Sequence, residues 1–190
     1  MTTFLFLAIA AAAVFWFIGA YNKLIALKNQ TVNAWKQIDV QLKRRHDLIP
    51  NLIETVKGAM NFERETLEAV VQARNQAMKA TAAGDPQHVA GVAAAESVLT
   101  GALTRFMAVV EAYPDLKATG NVGQLQEELT STENKISFAR QAYNDSVMVY
   151  NTQREVFPAS LIANTFNFAA AELFVIDKPE QKDAPKVSFS

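Results

Sequence analysis

The strongest constraint in the sequence is an apolar run near its start, from Phe4 to Ala20, without a charged or strongly polar side chain. At a helical rise of about 1.5 Å per residue the run measures roughly 26 Å, slightly less than the ~30 Å hydrocarbon core of a bilayer. The run is apolar on every face, whereas a helix that covers a soluble core is amphipathic. It therefore predicts a transmembrane anchor over residues 1–22.

The lipid bilayer is thus the first expected partner. The bulky apolar side chains predicted to contact it are Phe4, Leu5, Phe6, Leu7, Ile9, Val14, Phe15, Trp16, Phe17 and Ile18. Two alternatives remain for the run. A secretory signal peptide normally has a basic segment before its apolar part, and no basic side chain precedes Phe4. A buried core helix is usually shorter.

Charge predicts how the anchor is oriented. Residues 21–60 carry seven Lys or Arg against three Asp or Glu, a sum of +4, and Lys23 is the first charged side chain. Basic residues accumulate on the cytoplasmic side of a membrane helix, so we expect a single-pass protein with its N-terminus outside and its bulk in the cytoplasm. This local excess of positive charge is too small for a nucleic-acid surface, and no nucleic-acid partner is expected.

A helical pattern follows the anchor directly. Its seam, with steps of three and four residues, is Thr31, Trp35, Ile38, Leu42, Arg45, Ile49, Leu52 and Val56. No glycine or proline lies between Ala20 and Leu48, so the membrane helix is predicted to continue into the domain. Pro50 predicts a kink. The first helix either breaks at residues 58–61 or continues through them.

Three further helices are predicted, over residues 62–83, over residues 86–118 and up to Pro158. On the second, one side carries Leu67, Val70, Val71, Arg74 and Met78. On the third, the seam is Val92, Glu96, Leu99, Leu103, Phe106, Val110 and Tyr113. On the fourth, successive positions seven residues apart are Val122, Leu129, Ile136, Tyr143, Tyr150 and Phe157, a coiled-coil pattern.

The expected fold is therefore all-α. An N-terminal transmembrane helix continues into an antiparallel, up-down bundle of long helices over residues 23–168. A short helix over residues 161–168 and an extended tail over 169–190, with strands at 173–176 and 186–189 that could form a hairpin, complete it. With four helices, the last returns toward the membrane and brings an apolar segment near the lipid headgroups: Phe157, Leu161, Ile162, Phe166 and Phe168.

The sequence contains no recognisable catalytic or metal-binding pattern. It has no cysteine, and neither of its two histidines, His46 and His88, has a glutamate three residues before it, as a di-metal helical bundle requires. Gly-x-Ser-x-Gly, His-Glu-x-x-His, dinucleotide-binding and P-loop motifs are absent. We therefore expect no enzyme activity, cofactor or metal.

Two charged residues occupy seam positions where apolar ones are expected, Arg45 and Glu96. Heights counted from the start of each helix separate them by about 18 Å, so their pairing is doubtful, whereas Glu133 on the descending fourth helix matches Arg45. The sequence predicts an interhelical Arg45 to Glu133 pair. Alternatively, Arg45 extends to water.

Two smaller groups of residues have both a functional and a structural interpretation. The basic cluster Lys43, Arg44, Arg45 and His46 could bind an acidic protein partner, or it could be a solvated helix face. The fourth-helix tyrosines Tyr143 and Tyr150 could form a ligand-binding surface, although core residues with hydrogen-bonded hydroxyls are the commoner case.

Four stretches carry a family resemblance. The run LKRRHDLIPNLIETVK at 42–57, EAYPDLKA at 111–118, ARQAYN at 139–144 and PKVSF at 185–189 are similar to blocks of the LemA family of bacterial membrane proteins. The resemblance implies a mostly helical cytoplasmic domain on an inner-membrane helix, and no known activity. One branch of the family is associated with magnetosome membranes. At Phe166-Asn-Phe168 the chain departs from the glycine-containing form expected there.

Two functions fit these features. The first is a non-enzymatic, membrane-anchored scaffold that forms homo-oligomers through its seams and organises or remodels a membrane region. The second is a membrane-tethered adaptor that docks a protein partner through its basic face.

Overall fold

A computed structural model describes residues 1–57, 63–82, 88–113 and 120–175, and within these ranges the chain is helical with no strand. The helices are α1 (Thr2–Lys57), α2 (Arg64–Ala82), α3 (Val89–Glu111), α4 (Gly120–Glu155) and α5 (Ala159–Thr165). The all-α prediction, with an apolar N-terminal helix, is confirmed.

The first helix, α1, runs without interruption from the apolar run into the domain, as the absence of glycine and proline between Ala20 and Leu48 predicted. All eight residues of its predicted seam are buried. The helix also continues through Pro50, whose side chain is exposed. A bend at this proline stays a prediction, and the possible break at 58–61 lies outside the described residues.

The second helix buries only part of the predicted side. Val70 is buried and Leu67 packs against the core as predicted, but Val71 and Met78 are 40% and 39% exposed. Ala73, Ala77 and Thr81 are buried in their place, and with Val70 they have spacings of three and four residues. The prediction was wrong for Val71 and Met78 because it favoured large side chains, whereas α2 packs on α3 and alanines allow a close approach.

The third and fourth helices follow their predicted seams until α4 ends. On α3 the seam is buried from Val92 to Val110, and Tyr113 is half-buried beyond the helix. On α4 the five predicted positions from Val122 to Tyr150 are buried. The sixth, Phe157, is 80% exposed because α4 ends at Glu155 and the helical register no longer applies.

By its contacts the chain divides into two compact units. Unit 1 comprises Met1–Val40 and Ile136–Leu173, and unit 2 comprises Gln41–Lys135 with the described residues after Leu173. The core of unit 1 includes Leu24, Tyr150, Ile162, Ala163 and Phe168. The core of unit 2 combines parts of four helices: Ile49, Leu52, Val56, Val70, Ala73, Ala77, Leu99, Leu103, Phe106, Val110, Val122 and Leu129. The predicted domain boundaries at residues 22 and 168 stay predictions.

In unit 1 the chain leaves α5 through a left-handed residue and then follows α4. Asn167 has φ 54°, a conformation that glycine adopts freely and that asparagine tolerates better than most residues. This explains how the chain accommodates asparagine where the family resemblance implied glycine. The described residues 173–175 are not a strand, so that part of the hairpin prediction is wrong, while Ile176 and 186–189 lie outside the described residues.

Side chains of α4 hold this segment by hydrogen bonds to its backbone. The Tyr143 hydroxyl donates to the Glu172 carbonyl at 2.8 Å, and the Tyr150 hydroxyl donates to the Ala169 carbonyl at 2.9 Å. Asn151 accepts from the Ala171 amide at 3.0 Å and donates to the carbonyl of the same residue at 2.9 Å. The segment 169–172 therefore satisfies backbone groups through α4 side chains rather than through a strand partner.

Candidate functional sites in the two units

The apolar run of α1 is exposed from Phe4 to Gly19, and Ala20 at its end is half-buried. Its most apolar 18-residue window has no buried residue, and Phe4, Phe6 and Phe15 are about three-quarters exposed. One other described helix, α3, is also long and apolar enough to cross a membrane, but 33% of its window is buried and its seam lies in the core of unit 2. The 18-residue window of α1 thus differs from that of α3, because none of its residues is buried.

The chain around α5 packs against the end of this run. The ring of Phe166 lies 6.0 Å from that of Phe17 and 5.0 Å from that of Tyr21, and Phe168 lies 5.7 Å from Tyr21, centroid to centroid. The last two pairs meet edge to face, a favourable geometry for aromatic rings. These contacts put the α5 region beside residues 17–21 of α1.

A second contact region lies between α1 and the corner that joins α4 to α5. A groove of about 350 Å³ is lined by Trp16, Gly19, Ala20 and Lys23 on one side and by Gln153, Val156, Phe157, Pro158 and Ala159 on the other. Four apolar side chains of this corner and of α5's end are exposed by 43% to 80%. We call them the apolar collar: Val156, Phe157, Leu161 and Phe166.

The two α4 tyrosines are core residues with hydrogen-bonded hydroxyls, as the commoner interpretation expected. Each is 1% exposed, and the Tyr143 ring packs 5.5 Å from that of Trp35. Burial, reinforced by the negative charge of Glu172, raises the pKa of Tyr143 to about 12. Burial also raises the pKa of Tyr150, against the opposing effect of Arg154. Both hydroxyls are therefore neutral donors near pH 7.

Unit 2 contains a buried charge cluster centred on Arg45. Its guanidinium donates to a carboxylate oxygen of Glu96, to Oε1 of Glu133 at 2.6 Å and to the Thr100 hydroxyl at 3.1 Å. The other Glu96 oxygen lies 2.9 Å from Nε2 of His46. Arg45 and Glu96 are each 1% exposed, whereas the Glu133 side chain is 36% exposed. The cluster therefore links α1, α3 and α4.

The structure thus brings Arg45 and Glu133 together, and it corrects two other expectations. Arg45 does pair with Glu96, and it does not reach water. The error came from counting heights from the helix starts, although the helices differ in length. Arg45 lies twelve residues before Lys57, Glu96 fifteen before Glu111, and Glu133 thirteen after Gly120, which are about 18, 22 and 20 Å along their helices.

The predicted basic cluster of α1 divides between surface and core. Lys43 and Arg44 are exposed, but Arg45 and His46 are buried and face the charge cluster. The four residues therefore do not form one surface patch, because adjacent helix positions differ by about 100° around the axis. Arg74 also joins this region, where its Nε donates to the His46 carbonyl at 2.7 Å. The position of Arg74 on the same side of the second helix as apolar residues already indicated that its side chain faces the protein interior.

The arrangement around Arg45 suits structural cross-linking better than chemistry. Both Glu96 oxygens and both terminal guanidinium nitrogens of Arg45 have partners. Within the described ranges no three His, Cys, Asp or Glu residues are arranged to hold a metal ion. His88, the other histidine, is exposed just before α3.

Comparisons of the sequence with a family model and with known proteins both identify the LemA family. The sequence model of the LemA family matches residues 34–189. Protein LemA of Metamycoplasma hominis is 25% identical over 95% of this chain and 81% of its own length. Magnetosome protein MamQ 2 of Paramagnetospirillum magneticum and magnetosome protein MamQ of Magnetospirillum gryphiswaldense are 22% and 24% identical over 81% of this chain. The chain spans 64% of the length of these two magnetosome proteins.

Proposed function

This chain belongs to the LemA family, and on that premise we propose that it is a non-catalytic scaffold of the bacterial inner membrane. It crosses the membrane once through α1, with the N-terminus outside and the bulk of the chain in the cytoplasm. Its helices associate with further copies of the chain and so organise or remodel a membrane region.

The observation that carries this proposal is the continuity of α1. An 18-residue apolar window with no buried residue passes, without a break, into a helix whose seam lies in the protein core. Apolar surface of this extent is unfavourable in water and favourable in lipid. A continuous helix also transmits the direction of the membrane segment to the residues that follow it, as a flexible linker does not.

The orientation follows from the charges that flank the apolar run. Lys23, Lys28 and Lys36 follow it closely and are exposed on α1, while residues 1–3 carry no basic side chain. This asymmetry favours a cytoplasmic location for the residues after Lys23. Accessibility of single cysteines at residues 2 and 36 to a membrane-impermeant reagent in intact cells tests it. Labelling at residue 36 rather than residue 2 would contradict the orientation.

Self-association is supported by exposed apolar residues on α4. Phe138 is 73% exposed and Val149 is 54% exposed. They lie eleven residues apart, close to three helical turns, so both face away from the buried positions Tyr143 and Val147. Two relatives are named magnetosome proteins, and the family resemblance includes a branch associated with magnetosome membranes, which supports the membrane-organising part of the proposal.

Cross-linking in native membranes tests the scaffold. The chain lacks cysteine, so single Phe138→Cys and Ser137→Cys variants can be compared at native expression levels. We expect disulfide-linked dimers from Phe138→Cys and much less product from the neighbouring exposed Ser137→Cys. Monomer alone in both variants, also with a longer amine cross-linker, would contradict self-association.

The adaptor is the second candidate, because Lys43 and Arg44 are two consecutive exposed basic residues on α1. An acidic protein partner would suit them. Charge reversal at both positions should then remove co-purified protein while the oligomer size stays fixed. Unchanged co-purified protein would contradict the adaptor.

A further inference from the structure

We propose that the apolar collar, Val156, Phe157, Leu161 and Phe166, is a second membrane-contact surface that inserts into the interfacial layer of the bilayer beside the α1 anchor. This inference rests on the proposed function, because it requires α1 to span the membrane. Its occupant is lipid at the boundary between headgroups and acyl chains.

The apolar collar is continuous with the end of the apolar run. The Phe166 ring contacts Phe17, a residue inside the run, and Tyr21, the residue that follows it. Across the groove, the corner around Phe157 faces Trp16 to Lys23. If the run lies in lipid, these contacts bring the collar to the depth at which the run ends. The run measures roughly 26 Å against the ~30 Å hydrocarbon core, so its end lies within a few ångströms of the boundary between acyl chains and headgroups. The collar lies at the same depth.

The exposed surface of the collar is apolar and uncharged, with polar residues at its side. Phe157 is 80% exposed and Leu161 is 61% exposed, while Ile162 and Ala163 on the opposite side of α5 are buried in the unit 1 core. Residues 156–171 carry no charged side chain. The same surface includes the exposed Asn164 and Thr165, which suits the wet interfacial layer better than the hydrocarbon core.

Five backbone amides of the collar region are already hydrogen-bonded within the chain. The amides of Val156, Ser160 and Leu161 donate to carbonyls of Thr152, Val156 and Pro158 at 2.9 to 3.2 Å. The amides of Phe166 and Phe168 donate to Ile162 and Ala163 at 3.0 and 2.9 Å. Pro158 has no amide hydrogen. These groups would therefore not lose water-bound partners on entering a medium with few donors and acceptors.

Depth-dependent quenching tests the collar in the full chain. Because the sequence has no cysteine, single cysteines at Phe157, Leu161 or Val40 can carry an environment-sensitive fluorophore. Val40 is the control, since it is an apolar residue of the same unit, 56% exposed, that lies outside both the collar and the α4 surface proposed for self-association. A fourth label at Ile9 reports on the anchor. Each protein is reconstituted in phosphatidylcholine vesicles with nitroxides placed either near the headgroup or deep in the acyl chain.

We expect labels at Phe157 and Leu161 to emit at shorter wavelength than the Val40 label and to be quenched at least about twofold more than that label by the shallow nitroxide. The Ile9 label should be quenched more by the deep nitroxide. Addition of phosphatidylglycerol should change little, because the collar is uncharged.

Other outcomes would overturn the inference in distinguishable ways. Water-like emission at Phe157 and Leu161, with deep quenching at Ile9, would exclude the collar and leave the anchor in place. Short-wavelength emission without lipid quenching would mean that protein, such as a second copy, covers the collar. Absence of lipid quenching at Ile9 would instead contradict the proposed function itself.

Discussion

The two units of the chain satisfy their buried polar groups by different means. In unit 1, the hydroxyls of Tyr143 and Tyr150 and the amide of Asn151 pair with backbone groups of residues 169–172. In unit 2, Arg45 and Glu96 pair with each other and with Glu133 and His46. The first set is neutral and attaches one segment to one helix. The second is ionic and links three helices.

This difference determines which contacts can be removed one at a time at small cost to the free energy of unfolding. A neutral hydrogen bond contributes about 1 kcal/mol, and its loss leaves a group that water or a small adjustment can satisfy. Loss of one partner from a buried ion pair leaves an uncompensated charge, which costs several kcal/mol. We therefore expect the charge cluster to respond as a unit and the α4 hydrogen bonds to respond one by one.

The largest effect is expected for Arg45→Met. The substitution keeps the volume of the side-chain stem but leaves the Glu96 carboxylate buried without its cation, at a cost of about 3–5 kcal/mol in the free energy of unfolding. Denaturant unfolding followed by circular dichroism in detergent measures it. Arg44→Met, at the adjacent exposed position, is the control and should cost less than about 0.5 kcal/mol.

The double variant Arg45→Met/Glu96→Met sharpens this prediction. Removal of both buried charges should restore much of the stability lost in Arg45→Met, because methionine fills the site without an unpaired charge. Equal losses in the free energy of unfolding for Arg45→Met and Arg44→Met would show that the buried charge cluster stabilises unit 2 no more than an exposed charge does. Strict additivity of the two buried substitutions would show that the residues are not coupled.

A smaller effect is expected when the two glutamates are neutralised separately. Glu96→Gln removes the charge that is 1% exposed, and we expect a loss of about 2 kcal/mol, since Arg45 then depends on Glu133 alone. Glu133→Gln should cost less than about 1 kcal/mol, because its side chain is 36% exposed and water screens the pair. The same unfolding measurement compares them. A larger loss for Glu133→Gln would contradict the order.

The seams of α1, α3 and α4 could be predicted from the sequence because burial of one helix face imposes a period that the apolar residues record. The buried face of α2 could not, since Ala73 and Ala77 are buried by the approach of α3 and not by their own hydrophobicity. Phe157 continued the heptad in sequence, but the end of α4 is set by the local chain around Pro158.

The charge cluster shows the same limit at the level of a site. The positions of Arg45 and Glu96 in apolar seams indicated that each needs a partner. Which partner each meets depends on how far one helix is shifted along another, and helix lengths alone do not determine that shift. The hydrogen bonds of residues 169–172 to α4 likewise have no periodic signature, because tyrosine and asparagine side chains make them.

In unit 1, Tyr143→Phe should cost about 1 kcal/mol near pH 7, through the lost hydrogen bond to Glu172. The difference should depend on pH. The pKa of Tyr143 is raised from 10.0 to about 12 in the folded chain, so the unfolded chain ionises first as pH rises. The stability associated with the neutral hydroxyl is present below pH 10 and is lost between pH 10 and 12, by up to about 2–3 kcal/mol.

Thermal unfolding of the wild type and Tyr143→Phe between pH 8 and 12 measures this dependence. The wild type should be the more stable below pH 10, and the gap should narrow or reverse as the pH approaches 12, because phenylalanine does not ionise. Tyr150→Phe is a useful second variant, since the pKa of Tyr150 is also raised. A gap that stays constant across the range would mean that the Tyr143 hydroxyl is not shielded from solvent.

A further effect is expected at Asn167, where unit 1 depends on backbone conformation and not on a buried polar group. Its φ of 54° lies in the left-handed region, where a β-branched residue is strained, so Asn167→Val should cost about 1–2 kcal/mol. Asn167→Gly should change the free energy of unfolding by less than about 0.5 kcal/mol, because glycine adopts this conformation without strain but orders a more flexible chain. Denaturant unfolding of both variants separates the cost of backbone strain from the cost of ordering a more flexible chain. Since the side chain is exposed, equal losses for valine and glycine would show that backbone strain does not decide stability at this turn.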